Sequence, residues 1–425
     1  MIGPGVWLFL ATTISNVCNV FFHIVMVRYL PPDQYALLVA LVALMTVMAV
    51  PSATIQTTTS HRVSQLSARE AWPELRVNLR RRLVGTGLVA IVGFFGIAAS
   101  RHQITRFLQV ADDPAIIVIW GGAVALAVLV PITWGALQGL QAFASLGASL
   151  VVSTALKLVL GVSLVAAGYG VFGAVQGMVL ATGFTFGLAL IQLRWHLRLR
   201  HRRTSDEIPW WTKAMAWVGD GLSECWLLMK RPWNVSGYPF VVALSVTAYT
   251  SLTNMDVVLA KHFCDPQAAG HYAVGAMVAR TVLFLPMALA MVLFPKVTEI
   301  VTTGGDAKPL LRNVMLATAG LSGAACTICL LWPTGLMRVI TGSVLPEAIP
   351  IIRWLAVAMA CLAIANLALV YILAAQQMWA TLPYIAGAIT HVALINVWHA
   401  HILQIAWVTF ATGGLLALYA LLVAR

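Results

Sequence analysis

Apolar runs of about 20 residues, each closed by a short polar break, follow one another along the whole chain. A helix of that length crosses roughly 30 Å of hydrocarbon. Inside a bilayer the backbone must satisfy its own hydrogen bonds, so such runs read as spanning helices. The pattern predicts twelve, at 5–27, 36–58, 83–100, 114–137, 146–168, 172–193, 238–260, 269–294, 313–332, 351–375, 382–398 and 403–424. Trp134, Trp195, Trp332 and Trp354 stand at predicted ends, where aromatic rings favour the interface. The expected fold is all-α: a polytopic membrane protein with 12 transmembrane helices in two six-helix lobes, 1–195 and 238–425. Between them, 196–237 is basic and holds five of the fifteen Trp, which reads as a cytoplasmic linker with a helix lying in the interface.

Composition excludes several classes. Of the 425 residues only 9% are charged, against about 25% in soluble domains, so no soluble catalytic domain is expected. Met1 to Val6 carries no basic residue and the apolar run continues to Met26, so no cleavable leader is expected. The six Cys stand singly in or near apolar runs and imply no disulfide framework. With the N-terminus inside, cytoplasmic segments hold 18 Lys and Arg and the opposite loops six, which orients both termini to the cytoplasm. The net charge of +12 then reflects orientation and contact with lipid headgroups; nucleic acid is not needed to explain it.

The two halves resemble each other. Arg28-Tyr-Leu-Pro-Pro-Asp-Gln-Tyr35-Ala36 follows the first predicted helix, and Lys261-His-Phe-Cys-Asp-Pro-Gln-Ala-Ala-Gly-His-Tyr272-Ala273 follows the seventh, with the tyrosines 237 residues apart. Gln138, in Ala136-Leu-Gln-Gly-Leu-Gln-Ala142, matches Gln376, in Ala374-Ala-Gln-Gln-Met-Trp-Ala380, at an offset of 238. A duplicated six-helix unit is expected. Six is even, so both copies insert the same way up, and such halves enclose a site near the midplane.

These landmarks resemble the MOP exporter superfamily and, within it, the Wzx-type polysaccharide flippases. Gly3-Pro-Gly and the turn from Arg28 to Tyr35 are similar to that family's first helix and loop. Gln138-Gly-Leu-Gln-Ala-Phe-Ala-Ser-Leu-Gly147, Gly168-Tyr-Gly-Val-Phe-Gly-Ala174, Asn254-Met-Asp256-Val-Val-Leu-Ala-Lys261 and Phe294-Pro295 are similar to later turns and helix ends. The chain departs from the family in its Trp-rich linker and in its short last two helices. The resemblance implies a V-shaped transporter working by alternating access in the bacterial inner membrane. Its substrate would be a polyprenyl-diphosphate-linked oligosaccharide, carried from the cytoplasmic to the outer leaflet for cell-surface polysaccharide biosynthesis. It implies no resident cofactor, coupling to a proton or Na⁺, and a polysaccharide polymerase with chain-length machinery as partners beside membrane lipids. The drug-exporting MATE branch shares the fold, so fold alone does not settle the substrate.

A charge within a spanning helix is costly and usually faces a cavity. Arg280 and Lys157 lie deepest, and a lipid diphosphate is met by the planar fork of Arg and the point charge of Lys. Arg280, then Lys157, are the expected diphosphate contacts; the structural alternative for each is an ion pair or a carbonyl cap. Asp256 is the acid well inside a span, either binding the coupling ion or neutralising Arg280. Thr12, Asn16, Asn19 and His23, at spacings of four, three and four, share a helix face, and with Asn254 they make a polar wall for sugar hydroxyls or a set of helix–helix hydrogen bonds. Arg28 and Lys261 occupy equivalent places at the outer rim, where they either guide the anionic headgroup or anchor helix ends, and anchoring is the preferred reading.

Two rival functions stand against the flippase. A cation-coupled drug exporter would want an acidic or apolar interior, whereas here two deep bases face one acid. A polysaccharide polymerase or ligase would want a large catalytic outward loop, and 101–113 and 333–350 hold no paired carboxylates or Arg-His cluster suited to glycosyl transfer. Several motifs are set aside. Gly168-Tyr-Gly-Val-Phe-Gly173 fits a dinucleotide pattern but follows no strand. Cys326 and Cys329 sit within one apolar helix, His399 and His401 lack a third metal ligand, and the sequon at Asn234 falls on the cytoplasmic side. No catalytic or metal residue is expected.

Overall fold

The computed structural model describes residues 4–110, 114–201, 237–284 and 286–424. Most of the Trp-rich linker, 202–236, lies outside the described residues, as does its expected interfacial helix. The described residues form sixteen α-helices and no strand. The first half runs α1 (Pro4–Tyr29), α2 (Pro32–Met48), α3 (Val50–Ala68), α4 (Trp72–Ala99), α5 (Arg101–Phe107), α6 (Ala115–Gly139), α7 (Phe143–Leu164) and α8 (Gly170–His201). The second runs α9 (Gly237–Phe263), α10 (Pro266–Phe284), α11 (Met287–Thr302), α12 (Lys308–Leu331), α13 (Pro333–Thr341), α14 (Ala348–Ala374), α15 (Leu382–Val397) and α16 (Ile402–Val423).

Eight helices answer eight in the same order, down to the short α5 and α13, so the repeat runs through the whole fold. Matching helix ends carry it further. α3, α5, α6, α11, α13 and α14 each close on a residue at positive φ, respectively Glu70, Gln109, Gln141, Gly304, Gly342 and Gln376. Such a left-handed residue turns the last amides back onto the final carbonyls of the helix. After α6 the amides of Gln141 and Ala142 reach Gln138 and Leu137; after α14 those of Gln376 and Gln377 reach Leu373 and Ile372. The partner of Gln376 is therefore Gln141, three residues beyond the Gln138 that sequence matching selects. The backbone twist, which a short Gln-containing match does not encode, decides the register.

Two predicted single helices are bent. The run 36–58 is α2 and α3, meeting at 41° with Pro51 in the first turn of α3, where a missing N–H costs nothing. The run 269–294 is α10 and α11, parted at Pro286, whose ring cannot continue a helix from α10. The stretch 59–82, expected as a loop, is the end of α3 and the start of α4. Its Val63, Leu66, Trp72, Leu75 and Leu79 are buried against Leu137, Leu140, Leu146 and Leu193. Nine described helices are long and apolar enough to span a membrane, ten if the bent α2–α3 pair is one span, which makes this a multi-pass membrane protein. Phe143–Arg198 enters that count once, although it contains both α7 and α8. Reaching twelve requires splitting it and adding α10–α11.

Contacts divide the chain into two compact units, 1–23 with 48–234, and 24–47 with 235–425. The division read from sequence placed 24–47 in the first lobe; packing places it in the second unit. The α1–α2 turn is held there by close fit. A Cβ on Gly270 would sit 2.5 Å from Pro32, and Arg28 bonds to the end of α13. Within the units, α6 and its repeat mate α14 are the most buried helices. Pro131 lies inside α6, and two residues on Thr133 donates to the carbonyl of Val130.

α7 and α8 join through a π-type turn, Val165–Tyr169, in which Gly168 has φ +94°. Only glycine takes that conformation without a Cβ clash. Gly168→Ala is expected to cost about 1–2 kcal/mol, read as a lower thermal midpoint in detergent.

Candidate functional site

The second unit holds the densest buried polar cluster among the described residues. Tyr272 and Arg280 are eight residues apart on α10, two turns, and so share one face. Both reach Asp256 on α9. Tyr272 Oη donates to Asp256 Oδ2 at 3.1 Å and Arg280 Nη2 to Oδ1 at 3.1 Å, so each carboxylate oxygen has a donor. Asp256 is fully buried and the Arg280 side chain is 12% exposed. A buried carboxylate survives in low dielectric only when paired this way. The Nε of Arg280 is buried and makes no hydrogen bond to the described residues. His391 of α15 is also fully buried in this unit. Its Nδ1 meets Thr412 Oγ1 of α16 at 3.1 Å, its Nε2 has no partner among the described residues, and Asp256 is within electrostatic reach. Tyr35 on α2 is buried near Arg280.

In the first unit, Lys157 of α7 donates to Asn19 Oδ1 of α1, and its ammonium lies 4.6 Å from the centre of the Phe22 ring, a favourable cation–π contact. Asn19 also donates to the Ser15 carbonyl. Of the expected polar wall, Thr12 folds back onto the Leu8 carbonyl, Asn16 is exposed and His23 half-buried. Asn254 likewise turns onto its own helix, to the Thr250 carbonyl and the Thr253 hydroxyl. Asn19 is thus the member of the stripe that meets a deep charge.

The rim residues anchor. Arg28 Nη2 donates to the Val339 carbonyl at 2.6 Å and Nε to Ile340 at 3.1 Å. These are among the last carbonyls of α13, which attract a cation. Lys261 is buried, with Asp33 and Asp265 as its electrostatic neighbours. A cavity of about 360 Å³ within the second unit is lined by Arg28, Pro32, Tyr35, Val274 and Gly342 among others. Of the motifs set aside, Cys326 and Cys329 are free and buried. His399 stacks on Phe263 at 4.0 Å and His401 takes part in the cap of α16. No group of metal-binding side chains occurs among the described residues.

Sequence reading missed Tyr272 and His391. Tyr272 is a repeat landmark in the sequence, which does not encode its buried role as partner of Asp256. His391 carries a signal, a titratable residue mid-way along an apolar run, weaker than that of a full charge.

No family model matches the sequence, and no curated protein matches it. Solved structures do. A MATE family multidrug resistance transporter of the MOP superfamily, in an inward-facing conformation, superposes with a TM-score of 0.70 over 97% of this chain and 94% of its own, at 13% identity. The lipid II flippase MurJ superposes at 0.72 over 98% of this chain and 86% of its own, at 10% identity. The chain has the MOP transporter fold. A eukaryotic MATE transporter, AtDTX14, agrees at 0.60 over 99% of this chain and 93% of its own, at 14% identity. The MOP fold accounts for the duplicated order of helices, and the deep polar groups lie on α1 and α7 of one repeat and on α9, α10 and α15 of the other.

Proposed function

We propose that this protein is a flippase that moves a polyprenyl-diphosphate-linked oligosaccharide from the cytoplasmic to the outer leaflet of a bacterial inner membrane by alternating access, with twelve spans and both termini cytoplasmic. The observation that carries the reading is the pair of deep bases. Lys157 is held by a neutral amide and an aromatic face, and no acid among the described residues is bonded to it. Arg280 keeps a buried Nε without a partner among the described residues. Each is a donor to spare for phosphate oxygens, Arg through its fork and Lys as a point charge. A polysaccharide polymerase and chain-length machinery are the partners this role implies, and a proton or Na⁺ gradient its drive. The flippase MurJ among the superposed structures supports the class of cargo by fold alone.

A second reading is a cation-coupled drug exporter. Asp256 neutralises Arg280, which leaves the second unit's cluster with no net charge, and MATE transporters share the fold.

The test is flipping of a fluorescent undecaprenyl-diphosphate oligosaccharide in proteoliposomes. The native protein is expected to flip it. Lys157→Ala is expected to slow flipping about ten- to hundredfold, the equivalent of a lost charge-assisted hydrogen bond of about 1.5–3 kcal/mol. Equal rates would remove Lys157 from the site. Absent flipping, with export of cationic dyes, would replace the flippase by the exporter.

A further inference from the structure

We propose that the cavity of the second unit is a site for one sugar residue of the cargo's glycan, a ring that carries a carboxylate. This rests on the reading that the cargo bears an oligosaccharide.

Three parts of the chain build the cavity. The end of α1 and the start of α2 give Arg28 and Tyr35, α10 gives Val274, and the turn from α13 to α14 gives Ser343 and Leu345. Close packing holds them in place. Pro32 is seated against Gly270 of α10, where a Cβ would sit 2.5 Å away. The Thr341 hydroxyl closes the α13–α14 turn on the Met337 and Ser343 carbonyls, at 2.9 and 2.8 Å. That turn fixes the backbone of the exposed Ser343 and leaves its hydroxyl to the cavity wall. At about 360 Å³ the cavity falls within the range of small-molecule sites, about 300–1,000 Å³.

The polar groups of the wall have donors to spare. Arg28 spends its Nε–H on the Ile340 carbonyl and one Nη2–H on that of Val339. A guanidinium has five N–H groups, so three remain. No acid among the described residues is bonded to it. Tyr35 is fully buried, and its hydroxyl has no partner among the described residues. The repeat shows what is unusual about it. Tyr272, at the matching place 237 residues later, gives its hydroxyl to Asp256. Tyr35 keeps the phenol without the acceptor. A hydroxyl buried without a partner is a cost to the free protein, and a ligand that accepts from it removes that cost.

These groups select the ligand. Three N–H groups, a phenol and a serine hydroxyl want several acceptor oxygens close together, one of them charged. Val274 and Leu345 give the same wall apolar surface. Inorganic phosphate would meet the donors and leave that surface facing water. A sugar acid meets both: its hydroxyls donate and accept, its carboxylate suits the planar fork of Arg28, and its ring C–H groups pack on the two aliphatic side chains. On the proposed topology Arg28 stands at the outer rim, so the site receives the glycan on the outer side.

The test is binding of glucuronic acid to full-length protein in lipid nanodiscs, detected by saturation-transfer NMR and titrated for Kd, with glucose and inorganic phosphate as comparison probes. Glucuronic acid is expected to bind more tightly than glucose, and equimolar phosphate is expected not to displace it. Tyr35→Phe is expected to weaken binding about three- to tenfold, the equivalent of one hydrogen bond. It is expected to keep the thermal midpoint of the free protein, because the lost hydroxyl bonds no described residue. Ser343→Trp, at an exposed position, is expected to fill the cavity and abolish binding; it carries the test if Tyr35→Phe does not fold. Absence of binding, native affinity in the folded variants, glucose binding as tightly as glucuronic acid, or displacement by phosphate each overturns the site. Flipping of the lipid-linked cargo is measured separately. Flipping without glucuronic acid binding overturns the sugar site and leaves the flippase; binding that is lost in the variants, without flipping, keeps the sugar site and overturns the flippase.

Discussion

Alanine in place of Arg280 lowers the stability of the protein by about 3–5 kcal/mol, and adding Asp256→Asn restores most of that loss. The single change strands a fully buried carboxylate whose charged partner has gone, and breaking a buried pair from one side costs about that much. The double change removes both charges. Its Asn side chain can still accept from Tyr272, which now donates to Asp256 Oδ2, and what remains is the cavity left by the arginine stem. A double-mutant cycle on unfolding in detergent should therefore show strong coupling between the two sites. Additive losses would mean that the pair is not the element holding α9 to α10. The double variant also serves the transport question. It removes the Arg280 contact without the collapse that a lone Arg280→Ala change risks, so slower flipping by the folded double variant than by Asp256→Asn alone reports on the anion contact.

The second large effect is expected at the α3–α6 contact. Gly135 and Gly139 are one turn apart on α6 and face α3. A Cβ at Gly139 would lie 2.5 Å from the Ser60 carbonyl oxygen and 2.9 Å from Val63, and one at Gly135 would meet the Gln56 carbonyl. Small residues at this spacing let two helix backbones approach, the main source of packing energy where lipid competes equally with apolar side chains. The obstacles are backbone carbonyls, which cannot swing aside. Gly139→Ala is expected to cost about 1–3 kcal/mol as an overpacked site, and Gly139→Leu to separate the helices. Separation would also part Gln56 from Gln138 (3.3 Å) and Arg82 from Thr59 (3.3 Å), the polar contacts that tie α3 to α6 and α4. The check is thermal unfolding of each variant in detergent, with cross-linking of a cysteine pair across α3 and α6. An unchanged midpoint in Gly139→Leu would show that α3 is free to move off α6.

The apolar runs were legible from the sequence because the bilayer imposes a single rule on every spanning segment: about 20 apolar residues, wherever they fold. Each of the twelve runs is helical in the described residues, and the duplicated order of helices confirms the repeat suggested by Tyr35 and Tyr272. The deep charges were legible for the same reason, since Arg280, Lys157 and Asp256 interrupt runs that should hold none. Of their partners, the Arg280–Asp256 pair was one of two readings the sequence left open for Asp256, and the others were not legible. Asn19 and Lys157 are 138 residues apart, and Asp256 is within electrostatic reach of His391 on a helix far along the chain. Where the chain bends was equally hidden. The turns at Glu70, Gln141 and Gln376 depend on left-handed backbone that Gln and Glu adopt only when the helix end is held by its neighbours. The placing of 24–47 with the second unit follows from a proline fitted against Gly270 and a guanidinium on the end of α13, contacts made by packing. Hydrophobic length alone thus determined that this chain is a duplicated set of membrane-crossing helices with charges buried in them. Tertiary structure decided which charges meet, because a buried ion is satisfied by whichever group the fold brings within about 3 Å, and that proximity is written across distant helices.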